Sequence, residues 1–184
     1  MTLRAAPEGG AAEEPEAPVA VSPAFLRLLI AGRWVVIATV ILTLLLPLYI
    51  EVNQRALIVL GLAATLYNLG QWRLVRIGMG RVLRPGALIG IDLLLIALLD
   101  WFSGGIRSPF VDLFYLLIVI GAAFGDLRGS LATAAAVTAL EIALALLRPS
   151  IPGGTWLLRL NFAINVIPFF FLTALASGYL VRRL

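Results

Sequence analysis

The 184-residue sequence contains no cysteine, no histidine and no lysine. Without cysteine there is no disulfide, no thiol redox switch and no thiolate metal site. Without histidine as well, the usual zinc, haem and iron–sulfur ligand sets cannot be assembled from this chain, and neither can a Ser-His-Asp or Cys-His arrangement. No metal site is expected, and no residue presents itself as catalytic. The missing lysine makes the positive charge entirely arginine. Charge of either sign is scarce too: 13% of residues are charged against 61% apolar, and the mean hydropathy is +1.03. That is far outside the range of a soluble globular domain and marks an integral membrane protein. The net charge of +4 does not point to nucleic acid. The arginines stand at the ends of apolar runs, where topology and lipid head groups account for them, and no basic patch with interleaved aromatics is present.

What is there falls into one tail and one membrane domain. Residues 1–22, rich in Ala, Pro and Gly with Glu8, Glu13, Glu14 and Glu16, have too few large apolar groups to offset ordering entropy and read as a disordered acidic tail. The tail is no signal peptide, because the acidic stretch precedes the first apolar run and no small-residue cleavage site follows a short hydrophobic core. Residues 23–184 divide into six apolar spans at about 25–49, 56–72, 85–101, 109–124, 130–147 and 158–181. Each approaches the roughly 20 residues that a helix needs to cross a hydrocarbon core of about 30 Å. The fold class is therefore all-α, an integral membrane bundle of six transmembrane helices. Arg73, Arg76, Arg81 and Arg84 crowd the linker between spans 2 and 3 and assign it to the cytoplasm. Alternation from there leaves only Arg55, Arg107, Arg148 and Arg159 on the outer face and predicts both termini inside.

Within the spans, Arg27 and Arg33 are expected to extend their stems to the interface. Glycines four apart (Gly86 and Gly90; Gly121, Gly125 and Gly129) suit close helix packing in lipid. Two carboxylates, Asp92 and Glu141, fall inside spans, where an ionised group at a helix centre costs about 2.5–3.5 kcal/mol on insertion scales. They read either as a ligand-binding or proton-responsive pair, or as packing groups satisfied by a neighbouring helix. Their depths do not favour a direct contact between them. Asn161 and Asn165 share one face of span 6, and Pro168 is expected to bend it.

The densest chemistry lies between spans 3 and 4, at Asp100-Trp101-Phe102-Ser103-Gly104-Gly105-Ile106-Arg107-Ser108-Pro109-Phe110. Paired glycines and a proline predict a sharp turn, with aromatic rings and charge at the membrane boundary and room for a small shallow site.

An Arg-Trp start to span 1, the arginine-rich linker, an Asp-Leu-Leu-Leu span and then Gly104-Gly105-Ile106-Arg107-Ser108-Pro109-Phe110 together resemble the six-span sensor module at the N-terminus of bacterial histidine kinases. The likeness is to the redox-responsive group, whose Gly-Gly-x-x-Asn-Pro-Phe stretch is associated with ubiquinone. It covers about residues 25–184. Gly104, Gly105, Pro109 and Phe110 match that stretch, and Ser108 stands where the group has Asn, with a shorter reach and one fewer donor. The resemblance implies a bacterial cytoplasmic (inner) membrane location, a homodimer, and coupling to a cytoplasmic kinase region or response regulator. It also implies a quinone ring against Trp101 or Phe110, with Arg107 or Ser108 donating to a carbonyl. With no phosphoacceptor histidine or nucleotide-binding segment, these 184 residues carry the input and not the kinase chemistry, either as a module of a longer protein or as a stand-alone relative. Two other functions stay open: an accessory subunit of a membrane complex, and a small-molecule-binding or transport subunit with Asp92, Glu141 and Asn165 converging on one cavity.

Overall fold

A computed structural model describes residues 23–45, 53–79, 84–103, 108, 110–147 and 156–183. The acidic tail, part of the turn after span 1, Arg81, the hinge residues Gly104, Gly105, Ile106, Arg107 and Pro109, and the segment 148–155 lie outside the described residues. Among those described, every regular element is a helix: α1 (Pro23–Leu45), α2 (Gln54–Arg76), α3 (Pro85–Ser103), α4 (Leu113–Leu147) and α5 (Trp156–Arg183). Among the described residues three stretches, Pro85–Ser103, Leu113–Leu147 and Ile164–Arg183, are long and apolar enough to cross a membrane. Their outward faces agree with that. Leu94, Leu146, Leu147, Ile164, Leu172 and Leu180 all stand more than half exposed, where a water-soluble bundle would place polar groups.

Local sequence explains where the helices start and stop. Asn53 caps α2, its side-chain oxygen accepting from the Ala56 amide at 3.2 Å. At the other end Gly78 takes a φ of +79°, which closes α2 with bonds from Ile77 to Arg73 and from Gly78 to Val75. Pro85 opens α3, where its missing N–H is one that no helix would pair.

The fourth and fifth spans expected from the sequence form one 35-residue helix broken at Gly125 and Asp126. Asp126 has φ 52° and ψ −140°, the strained corner that begins a type II′ turn. The chain doubles back there. In a straight helix Gly121 and Thr133 would lie about 18 Å apart; instead a methyl group added at Gly121 would collide with the Thr133 side chain and come within 3.0 Å of the Gly129 carbonyl. Thus α4 is a hairpin of two arms.

Contacts between helices show their direction. Arg33, midway along α1, meets Gln71 near the end of α2 and Asp92 in the first half of α3. Val40, later in α1, packs with Leu57 at the start of α2, Leu99 at the end of α3 and Phe110. The Asn53 amide donates to the Phe102 carbonyl at 3.0 Å. The first three helices therefore run alternately up and down. A second core joins α4 to α5, where Phe114 meets Phe170 edge-on with ring centres 6.3 Å apart, and Ile118, Ala134, Val137 and Ala174 fill the space around them.

The glycines separate into three kinds. Gly86 and Gly90 face open space, Gly125 sits at the reversal, and Gly121 and Gly129 touch across the hairpin. Gly178 of α5 makes a further close approach, with space for a Cβ only 2.7 Å from the Leu127 backbone. Close packing thus belongs to the α4 arms and α5.

Candidate functional site

The polar centre of the molecule is built by three helices at one level. Arg33 of α1 forms an ion pair with Asp92 of α3 and donates to the Gln71 side-chain oxygen of α2. Its guanidinium also lies over the Tyr67 ring, 5.2 Å from the centroid. One residue on, the Asn68 amide donates to the Ile30 carbonyl at 3.2 Å and ties α2 to α1. Arg33 therefore turns inward; the expectation that it extends to the interface is corrected. The reason is Asp92. A carboxylate and a guanidinium that would each be costly in lipid cancel one another's net charge, and the planar donor fork of arginine serves two acceptors at once.

Beside this cluster lies a cavity of about 400 Å³ between α1, α2, α3 and the first arm of α4. Its walls are apolar, typified by Val36, Ile96, Leu117 and Ile120; Arg33, Tyr67 and Asp92 supply its polar side chains. Such a size and lining are those of a small-molecule site. The cavity opens sideways: Leu28 of α1 and Leu116 and Val119 of α4 line it and are exposed.

The hinge is organised differently. Ser103 and Ser108 are buried and share a hydrogen bond of 2.6 Å between their hydroxyls, while the Phe110 amide donates to the Ser108 oxygen at 3.1 Å. Ser108 thereby braces the turn into α4. Phe110 is fully buried against Val40, Leu57 and Leu99, so a ring stacking on it would have to displace one of them. Trp101 is half-buried near the end of α3. Gly104, Gly105, Arg107 and Pro109 lie outside the described residues.

Of the other polar residues singled out in the sequence, Glu141 is buried on the second arm of α4, within electrostatic range of Asp100 rather than of Asp92. One of its carboxyl oxygens finds no hydrogen-bond partner among the described residues. Asn161 and Asn165 are exposed, and the Asn165 amide donates to the Asn161 carbonyl at 2.8 Å within α5. Asp92 lines the cavity, and neither Glu141 nor Asn165 does. Helix α5 runs unbroken through Pro168; Phe170 fills the core and Phe169 points outward.

Beyond the core around Phe114 and Phe170, two closer contacts link the hairpin to α5. The Ser130 hydroxyl donates to the Ala174 carbonyl at 2.9 Å, and Gly178 abuts Leu127.

Arg33, Tyr67 and Gln71 were not among the site residues expected from sequence. The available signal was spacing: Tyr67 and Gln71 are four apart on one face of α2, and Arg33 and Asp92 lie at similar depth in helices that enter from the same side. Comparison with protein-family models, curated proteins and solved structures found no match to this chain.

Proposed function

We propose that this chain is a membrane-embedded signal-input module of the kind that heads bacterial sensor histidine kinases, crossing the cytoplasmic membrane six times with both termini inside. The observation that carries the proposal is the cavity and its part-buried ion pair. Helices α1 and α2 are tied to α3 through Arg33 and Asp92 across a lipid-facing hollow, while α5 is tied to the turn and second arm of α4 through Ser130 and Gly178. An occupant that alters how α3 meets α4 would move the hairpin, and α5 would follow. The helix order supports six crossings: three alternating helices, a hairpin of two, and α5. The arginine-bearing helix ends, Arg73 and Arg76 on α2 and Arg182 and Arg183 on α5, suit one anionic face. On this reading Ser108 and Phe110 set the geometry of the turn, and any quinone sensing acts through the cavity.

The test uses the absence of cysteine. Paired spectroscopic labels at Ile77→Cys and Leu180→Cys report the distance between the ends of α2 and α5 in nanodiscs. Synthetic phosphatidylcholine alone is compared with the same discs carrying total bacterial lipid extract, oxidised or borohydride-reduced. An input module shifts this distance by about 1–5 Å, the range of helix shifts and one-turn ratchets. Distributions that coincide in all three conditions would reject the proposal, and a difference between oxidised and reduced extract would add redox sensing to it.

A further inference from the structure

The polar end of the cavity has a definite chemical preference, which rests on the cavity being a ligand site as proposed above but not on any signalling. Arg33 and Asp92 neutralise each other. An anionic head group would have to compete with Asp92 for the guanidinium, and a cationic one with Arg33 for the carboxylate. A neutral head meets no such competition. What the cluster has left to give is a donor. The Tyr67 hydroxyl and the Gln71 amide nitrogen are both buried and without hydrogen-bond partners among the described residues. They sit one helical turn apart, near enough for the amide to turn onto the phenol oxygen. That contact uses the oxygen as acceptor and leaves the phenol proton to donate. A buried donor without an acceptor is costly, and a ligand carbonyl would remove the cost.

From this arrangement we infer that the cavity holds an uncharged, carbonyl-headed amphiphile, its carbonyl oxygen accepting from the Tyr67 hydroxyl and its apolar body lying between α1 and the first arm of α4. Entry is from the lipid, because Leu28, Leu116 and Val119 rim the opening. The shared chemistry, a neutral carbonyl on a hydrocarbon body, is found in membrane glycerides and in isoprenoid carbonyl compounds.

The experiment is photo-crosslinking of the full chain in nanodiscs with three probes of equal chain length, each bearing a diazirine in the chain: a monoacylglycerol, a fatty acid and a fatty amine. The monoacylglycerol should label the stretches 28–37 and 113–123 in preference to the two charged probes. In Tyr67→Phe, which keeps the ring over which Arg33 lies, this labelling should fall about five-fold, the effect of losing one net hydrogen bond. Gly32→Leu places a side chain into the cavity from a position with nothing within 4 Å of the new Cβ, and should block labelling while the protein stays folded. Mass spectrometry of solvent extracts from the purified wild-type chain, compared with Gly32→Leu, then separates glyceride from isoprenoid occupants. Equal labelling by the three probes, labelling outside the cavity walls, or no change in Tyr67→Phe overturns the inference. None of these outcomes bears on whether α5 moves, which the label distances decide separately.

Discussion

At the scale of single residues, the chain sets two of its interior charges, Arg33 and Asp92, against each other. Arg33 lies ten positions after the first residue of α1 and Asp92 seven after that of α3, so the two sit about 15 Å and 10 Å along their helices from the same side. Either one alone is a bare charge in an apolar interior. Removing one partner of a buried pair typically costs about 3–5 kcal/mol, whereas replacing both with apolar groups of similar volume is often neutral. Arg33→Met and Asp92→Leu are each expected to lower the melting temperature of the detergent-solubilised protein, followed by circular dichroism, and the double variant should recover most of the loss. Two independent, additive losses would mean that the pair contributes nothing as a pair. The carboxylate of this centre was legible in the sequence because an aspartate inside an apolar run demands a reason. Its partner was not, since an arginine near a span's start fits interfacial snorkelling equally well and only the depth of the neighbouring helix decides between them. The hinge shows the converse. Its glycines and rings draw attention in the sequence, yet the backbone and core take up Ser108 and Phe110 for the turn itself.

Among helices, the tightest relation is between α5 and the hairpin of α4. Gly178 leaves no space for a side chain against Leu127 and Ser130, whereas Gly90 on α3 has nothing within 4 Å of where a Cβ would stand. Gly178→Val is therefore expected to destabilise the bundle by about 1–3 kcal/mol, as overpacking does, while Gly90→Ala should be neutral or stabilising by up to about 1 kcal/mol through helix propensity. Comparative unfolding of the two variants in SDS-containing mixed micelles checks this, and similar effects for both would refute the assignment of close packing to α5. Spacing alone grouped Gly86 and Gly90 with Gly121 and Gly129, because a four-residue repeat states which helix face is small but not whether another helix lies against it. The apolar runs themselves were legible, since chain length and hydropathy directly measure what a helix needs in lipid. The reversal at Gly125 and Asp126 was foreseen as a short linker, though its left-handed aspartate carries no sequence signal that separates it from an ordinary polar turn.

For the whole molecule, the up-and-down order of α1 to α3 and the doubling back of α4 fix which ends lie together. With six crossings, single cysteines at Gly78, Arg128 and Arg183 should react with a membrane-impermeant maleimide only in inverted vesicles, and one at Asn53 only in intact cells. Any of the first three labelled from outside would break the topology. The hairpin has a consequence for how the protein is made. In the six-span topology proposed above, a turn this short leaves almost no chain between the arms of α4, and the two arms would enter the membrane together. In that topology Arg128 is the one arginine close to the turn, and the orientation of the bundle across the bilayer would be set earlier in synthesis by the arginines between α2 and α3.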